Sequence, residues 1–592
     1  MKSKQGRSAM WGRIFLTWCA LILGSSLAYA GSAKVSNDLA AVNSSGQVDV
    51  IVQYNQVPTA YHHQKVFGRG GTLKRGLGNF KGGAYTMPAS ALADLATDPD
   101  VVYISPDRPV KGASSGPNAV NDFHIATINA PAAWAEGLNG KGIGVAVIDS
   151  GIGSVPDLTA SNIVYSQDFT GSTTNSAADQ YGHGTHVSGI IAGNGKESTG
   201  SAYSYTFMGI ASQANLINLR VLDQNGAGTD SEVIAAIQTA IQLKNTYNIR
   251  VINLSIGGPV WESYTQDPLC QAVEQAWKSG IVVVVAAGNY GRDDNAGTNG
   301  YGTITSPGND PYVITVGAMN TMGTADRTDD VPASYSSKGP SLIDQIIKPD
   351  LVAPGNLIDS LYFSSDTLNQ ENPGYEIPYS LYVVSGPTSP SAYYYAMSGT
   401  SMATPMVTGA AALMLEQNST LTPDQVKARL MKTAFKDLVQ SSVVTDSTTG
   451  QTFNEEADIF TVGAGYLDIQ AALANTDLAP ATVGSAKSPT ATIDAQGEVV
   501  LSSGSSVLGG NSVLWGSSVL WGSSILSGDN AAGQSVLWGS STLAGESVLW
   551  GSSVVEGDSV LWGSSVLWGS SVLWGSAAKS ANGAILSDKL KK

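Results

Sequence analysis

Four residues of this chain have the types and settings that acyl-transfer chemistry needs: Asp149, His183, Asn289 and Ser401. Ser401 lies in Gly399-Thr400-Ser401-Met402-Ala403-Thr404-Pro405, a small-residue turn that runs into the apolar segment Met406 to Leu415. Its hydroxyl is expected at a helix start, where unpaired N–H groups and the helix dipole favour an oxygen that turns negative. The same pattern suits a plain N-cap, so the test is whether a base, an orienting group and an oxyanion donor accompany it. Asp149 follows the β-branched run Val145-Ala146-Val147-Ile148, and a carboxylate at such a strand end needs hydrogen-bond donors to offset its lost hydration. His183 is bracketed by glycines in Gly182-His183-Gly184-Thr185-His186, which lets backbone and ligand approach closely. A metal pair of His183 with His186 is the other reading, but i, i+3 spacing without a nearby third ligand argues against zinc. Asn289 ends Ala287-Gly288-Asn289 after the apolar run Val282 to Ala286; its amide could donate to an oxyanion, or simply form a turn.

These residues sit at the ends of short apolar runs that alternate with helical stretches. Ile143 to Ile148, Leu216 to Val221, Arg250 to Ser255 and Ile281 to Ala286 suit buried parallel strands, and Ser231 to Leu243 and Leu269 to Lys278 suit helices. That alternation predicts an α/β fold with a central, largely parallel sheet and active residues at the carboxyl ends of its strands. Two glycine-bearing stretches, Gly226-Ala227-Gly228 and Ser255-Ile256-Gly257, have backbone groups that could pair with an extended peptide, although ordinary loops look the same.

Length and composition set the wider frame. The 592 residues, 42% of them hydrophobic, can build a large core and more than one domain. Residues 1–30 read as a secretory signal: Lys2, Lys4, Arg7 and Arg13 precede the apolar run Ile14 to Leu23, and Ala28-Tyr29-Ala30 supplies small residues for cleavage. The protein is therefore expected to be secreted, extracellular or associated with the cell surface. Trp18 before Cys19 disfavours a lipid-modified cysteine, and Cys270 alone then remains, so no intramolecular disulfide can form. Residues beyond 116 carry a net charge of −22, which disfavours nucleic acid and anionic membranes as partners.

Residues 31–116 form a separate small unit, with strands at Val48 to Tyr54 and Val101 to Ile104, a short helix at Pro88 to Ala96 and a glycine-rich middle from Gly68 to Gly83. So small a unit buries little surface and is expected to lean on its neighbour. Its exit, Lys111 to Pro117, reads as an exposed linker and a cleavage site.

Taken in order with their flanks, Val147-Ile148-Asp149-Ser150-Gly151, Gly182-His183-Gly184-Thr185-His186, Ala287-Gly288-Asn289 and Gly399 to Pro405 resemble the subtilisin-like serine proteases over about 130–475. The order Asp, His, Ser is that of subtilisin, whose oxyanion-hole asparagine is the reference case for such a donor. The resemblance implies a three-layer catalytic domain at 117–478, with Ser401 as nucleophile, His183 as base, Asp149 as its orienting group and Asn289 in the oxyanion hole. Residues 226–228 and 255–257 would bind polypeptide substrates, and residues 47–110 resemble an inhibitor-like propeptide, a small α+β partner made with the enzyme. The chemistry requires no cofactor or metal. Asp157 matches a family calcium-ligand position, which leaves room for structural calcium near the enlarged segment Asn194 to Met208. A second enlarged, tyrosine-rich segment between Gly355 and Gly399 could rim or cover the cleft. An esterase is disfavoured because Gly399-Thr400-Ser401-Met402-Ala403 lacks the second glycine of the nucleophile elbow.

Residues 479–505 read as a linker, 506–576 as repeats and 577–592 as a tail. The repeats are eleven hexads, each with Ser first and Gly fifth and seven with Trp fourth, broken by the pentad Asn530 to Gln534. Six residues advance a helix by roughly 600°, scattering the tryptophans, whereas an extended chain keeps its phase over an even repeat. A β-solenoid and a sticky low-complexity tail are both open, and either suits self-association or surface binding. The rival to an exported, self-processing endopeptidase is a catalytically inactive, protease-like adhesion protein; an intact set of four site residues weighs against it.

Overall fold

The computed structural model describes residues 34–40, 46–112 and 123–493, apart from 160, 173–175, 295–297 and 446–449, and short strands between 499 and 585. The leader expected at residues 1–30 and the exit beyond Gly112 lie outside the described residues. Contacts divide the chain into two compact units, the smaller ending at Pro106 and the larger beginning at Asp107, with Leu77–Phe80 also grouped in the larger.

The smaller unit is a four-stranded antiparallel sheet in the order Thr72–Leu77, Gly82–Pro88, Gln47–Tyr54, Val101–Pro106. Its core gathers Val50, Val52, Val66, Tyr85, Met87, Leu95 and Ile104, all with essentially no exposure. The glycine-rich middle is ordered into two of these strands: Gly83 lies so close to Tyr85 that a Cβ there would come within 2.9 Å of its hydroxyl oxygen and two of its ring carbons. The helix expected from Pro88 begins instead as a 3-10 turn, Ala89–Ala91, and continues as Leu92–Ala96.

In the larger unit seven strands run in the order Val331–Pro332, Ile314–Asn320, Val282–Ala286, Ile249–Leu254, Gly144–Asp149, Asn215–Arg220, Ile163–Asp168, and Leu351–Pro354 also pairs with Ile314–Asn320. All pairings are parallel except that of Val331–Pro332. Helices cover both faces, so strands such as Gly144–Asp149 and Val282–Ala286 are buried at every residue and read as unbroken apolar runs. Asp230–Tyr247 packs with Pro268–Lys278, and His183–Ala192 packs with Thr400–Gln417. Thr400–Gln417 is buried from Thr400 through Leu415, which explains why it is apolar all round rather than striped.

The enlarged segment before Gly399 folds as a small sheet of Ile358–Leu361, Glu376–Pro378 and Pro390–Met397, with Ile358–Leu361 packed on the helix His183–Ala192. It also meets the other enlarged segment: Ser204 N–H donates to Tyr382 O and Val384 N–H to Ala202 O, each at 2.8 Å. Phe207 packs against the rings of Tyr382 and Tyr394, which also meet each other edge to face.

Residues 479–491 are not a linker. Ala486 N–H donates to Asp424, Ile347 N–H to Pro489 O, and Ser488 Oγ joins the buried Asp350 and Lys427. Buried charges at Asp350 and Lys427 need partners, and this polar stretch supplies one. In the hexads, alternate repeats form two parallel sheets in which a residue pairs with the one two hexads on, Ser547 with Ser559 in one sheet and Ser553 with Ser565 in the other. Ser518 pairs with Ser535, so the intervening pentad leaves serine opposite serine.

Candidate active site

The His183 helix is held against the Asp149 strand end by two glycines. A Cβ on Gly184 would lie 2.2 Å from Gly151 O and 3.2 Å from Asp149 Cβ, so only glycine permits this approach. Gly182, at φ +110°, turns the chain into the helix. His183 Nδ1 then lies 2.8 Å from Asp149 Oδ1, both residues being buried. A ring nitrogen facing a carboxylate carries the proton, which leaves the lone pair on Nε2. His183 Nε2 has no hydrogen-bond partner. Burial by itself disfavours a charged imidazole, but the Asp149 carboxylate and its hydrogen bond outweigh that and hold His183 above the ordinary histidine value.

Asp179 was not singled out by the sequence reading, yet it organises this helix start. Its Oδ1 accepts from the N–H groups of Tyr181 (3.0 Å) and Gly182 (2.8 Å), and its Oδ2 from Thr185 N–H (2.9 Å) and Oγ1 (2.6 Å). The signal was an aspartate two and three residues ahead of free helix-start amides, the pattern of an Asx turn. His186 has a structural role: Nε2 lies 3.1 Å from Ile358 O and 3.0 Å from Tyr395 O, so it donates to two carbonyls of the small sheet. Burial pushes its ring down to about 3, which keeps it neutral. It is no partner of His183 in a metal pair.

Ser401 is the second residue of its helix, with an N–H that has no intrahelical acceptor. Pro405, four residues on, has no N–H for the Ser401 carbonyl. Ser255 Oγ fills that place, donating to Ser401 O at 2.9 Å, while Ser401 Oγ donates to Ser255 O at 2.9 Å. Asn253 Nδ2 donates to Ser255 Oγ at 3.0 Å and is itself fixed by Thr408. The Ser401 hydroxyl is thus parked on Ser255 rather than on His183. Asn289 is fixed from the other side: its Oδ1 accepts from Thr400 N–H (2.9 Å) and Oγ1 (3.0 Å). A backbone N–H must face an oxygen, so the amide nitrogen of Asn289 is its outward, donating end.

Ser255 touches Ser401, and the edges that contain residues 227–228 and 256–257 flank one and the same strand. Between them runs Pro109–Gly112, antiparallel to both edges: Lys111 lies opposite Ala227 and Gly257, Val110 opposite Gly228, Pro109 opposite Thr229 and Gly112 opposite Ile256. Gly226, at φ +69°, makes the turn before this edge and is not one of the paired residues. The groove therefore takes an extended chain by backbone pairing, as an added strand.

Calcium at Asp157 does not fit the groups present. Its oxygens accept from Glu197 N–H (2.8 Å) and from the Tyr394 hydroxyl (2.7 Å), which also meets Ser198 Oγ at 2.9 Å. Donors stand where a cation would need oxygen acceptors. Among the described residues no cluster of three or more His, Cys, Asp or Glu could hold a metal ion. Cys270 is buried, with its thiol pushed up by burial, and carries no disulfide.

A parallel three-layer fold with this site at its strand ends, beside a strand-pairing groove, defines a serine endopeptidase of the subtilisin-like class. Residues 140–465 match the model of the peptidase S8 subtilase family. Subtilisin E of Bacillus subtilis strain 168 is 34% identical over 423 residues, covering 70% of this chain and 93% of that protein. Serine protease AprX of the same organism is 40% identical over 298 residues, half of this chain, and the chain spans 61% of AprX. The extracellular serine proteinase of Thermus sp. strain Rt41A is 32% identical over 374 residues, covering 61% of this chain and 73% of that protein. Among solved structures, fervidolysin from Fervidobacterium pennivorans, a keratinolytic enzyme related to subtilisin, shares the fold with a TM-score of 0.53 at 22% identity, over 73% of this chain and 61% of that one. The chain belongs to the subtilase family.

Proposed function

We propose that this subtilase is exported as a zymogen that cuts itself, and that Asp149, His183, Ser401 and Asn289 carry the chemistry. The observation that supports this most directly is Pro109–Gly112 lying as a strand in the groove next to Ser255, whose carbonyl holds the Ser401 hydroxyl. Gly257 pairs with Lys111 and Ile256 with Gly112, so a peptide that continued this register by one residue would meet Ser255. A peptide seated in that register presents its carbonyl to Ser401.

Ser401 Oγ leaves the Ser255 carbonyl and bonds to the substrate carbonyl carbon while His183 Nε2 takes its proton. Asp149 holds the imidazole and stabilises its cationic form. The Ser401 N–H and the Asn289 amide stabilise the oxyanion. The C–N bond then breaks as His183 returns the proton to the leaving amine, and water, activated the same way, releases the acyl group from Ser401. Residues 31–116 are read as the propeptide, and export is supported by the charged and apolar pattern of residues 1–30 and by an extracellular relative. The hexads are read as a two-sided β-solenoid available for self-association or surface binding, supported by the pairing of alternate repeats.

Ser401→Ala should yield a precursor that keeps Val48 to Val110 attached when it is made without other proteases. Maturation of that variant at the wild-type rate, read by mass spectrometry of both ends, would show that another enzyme makes the cut.

A further inference from the structure

We infer that Glu262 is a specificity-determining residue that takes a basic side chain of the substrate, well upstream of the bond to be cut. The inference rests on the endopeptidase reading above and extends the groove beyond its backbone-pairing part. Upstream of Pro109 the chain in the groove does not leave the surface. Asp230 N–H donates to Arg108 O at 2.8 Å, and the Asp107 carboxylate accepts from Ser231 N–H (2.7 Å) and Oγ (2.6 Å) at the start of the helix Asp230–Tyr247. These contacts fix where the residue 108 side chain points. Its guanidinium meets Glu262, with Nη1 to Oε1 at 2.8 Å and side chains only 10% and 4% exposed.

Glu262 is held for this contact by its own loop. Asp344 accepts from Ser263 Oγ (2.6 Å) and from Tyr264 N–H (2.9 Å), the two residues that follow Glu262. A buried carboxylate is strongly disfavoured without a cation beside it, whereas an Arg–carboxylate hydrogen bond is among the stronger polar contacts. When the chain's own segment leaves, the backbone donors of the groove accept any peptide, but Glu262 accepts only one that brings a positive charge to the same place. Arg108 lies three residues before Lys111, which pairs with Gly257, and the register puts the reacting carbonyl two residues after Lys111. The basic side chain therefore belongs to the sixth residue on the N-terminal side of the cut. The exchange is one cation for another on Glu262, with no covalent step.

The test is a set of N-acetylated hexapeptide p-nitroanilides, acetyl-Xaa-Pro-Val-Lys-Gly-Ala, with Xaa as Arg, Ala or Glu, so that no free α-amine adds a positive charge at that residue, given to active enzyme. A charge-assisted hydrogen bond of this kind predicts kcat/KM about tenfold higher for Arg than for Ala, mainly through KM, with Glu poorest. In Glu262→Gln the ratio of Arg to Ala should fall towards one, and in Glu262→Lys the Glu peptide should overtake the Arg peptide. Equal rates for Arg and Ala with the wild-type enzyme overturn the assignment without any variant, and so does an Arg preference that survives Glu262→Gln. The tetrapeptide Val-Lys-Gly-Ala p-nitroanilide, which cannot reach Glu262, separates the two levels. If wild-type enzyme cleaves neither it nor any hexapeptide, the endopeptidase reading itself has failed.

Discussion

Ending the chain at Ala486 should destabilise the catalytic unit, whereas ending it at Ile493 should not, although both cuts fall in a stretch that is polar and linker-like in sequence. The Asp350 carboxylate is buried with Lys348 Nζ at 2.7 Å, Lys427 Nζ at 3.1 Å, Thr315 N–H at 2.8 Å and Ser488 Oγ at 2.5 Å. Lys427 Nζ in turn donates to Pro311 O and Val313 O, each at 2.9 Å, and to Ser488 Oγ at 2.8 Å. Removing Ser488 takes one partner from each of two buried charged groups, and hydrogen bonds to charged groups contribute about 1.5–3 kcal/mol each. The same cut removes three backbone bonds of 2.8 Å, Ser488 N to Pro311 O, Ile347 N to Pro489 O and Ala491 N to Gln345 O. Water re-solvates part of what is exposed, so a net loss of about 3–5 kcal/mol is expected. For a unit of roughly 370 residues, whose unfolding entropy is about 0.8 kcal/mol/K, that corresponds to a fall in Tm of about 4–6 °C. Calorimetry on Ser401→Ala chains, which should not digest themselves while unfolding, reads the effect for chains ending at 486, 493 and 592. Equal Tm values for the first two would mean that Ser488 and its neighbours hold nothing in place, and the role given to the buried cluster would be wrong.

Asn289→Leu keeps the branched heavy-atom skeleton but lacks the amide donor, and with it the oxygen that Thr400 N–H and Oγ1 use. It should fold, bind peptide with little change in KM and lose on the order of 10² to 10³ in kcat; a near-normal kcat would take Asn289 out of the oxyanion hole. Catalysis needs neutral His183, and Asp149 holds this ring above its ordinary value. The acid limb of kcat/KM should therefore have its midpoint above about 6.5, activity being lost as pH falls through it. Asp179, whose charge also favours the protonated ring, should lower that midpoint when changed to Asn; a limb below pH 6 in the wild type would contradict the assignment of His183.

The strands and helices that position the site were legible because buried parallel strands leave a plain signature. Residues 144–148 and Val282–Ala286 carry no polar side chain, and the two candidates lie where these runs end, Asp149 as the last residue of the first strand and Asn289 three residues after the second. What the sequence does not display is partnership over long separations. Asp179 reads as one of many loop aspartates until its four donors are seen, and Arg108 and Glu262 are 154 residues apart with no local pattern to link them. Ser488 sits in a stretch whose composition is that of a linker, because a residue that satisfies buried charges must itself be polar. Composition therefore misassigns such segments.

The two enlarged segments follow the same logic and change what supports the histidine. Separately they read as loops that could cover a cleft or hold calcium, but the structure pairs them with each other. Tyr394, from the segment before Gly399, puts its hydroxyl on Asp157, and His186, one turn below His183, donates to Ile358 and Tyr395 of the same segment. Further along, Thr367 N–H donates to Gln180 O and Leu368 N–H to Tyr181 O, bracing the turn that leads into His183. A bound ion would hold this region through the concentration of free cation, whereas these are intramolecular contacts whose strength does not depend on it. The placement of His183 over Asp149 thus rests in part on the chain's own tyrosine-rich segment, through its contacts with the helix His183–Ala192 and with the turn before it.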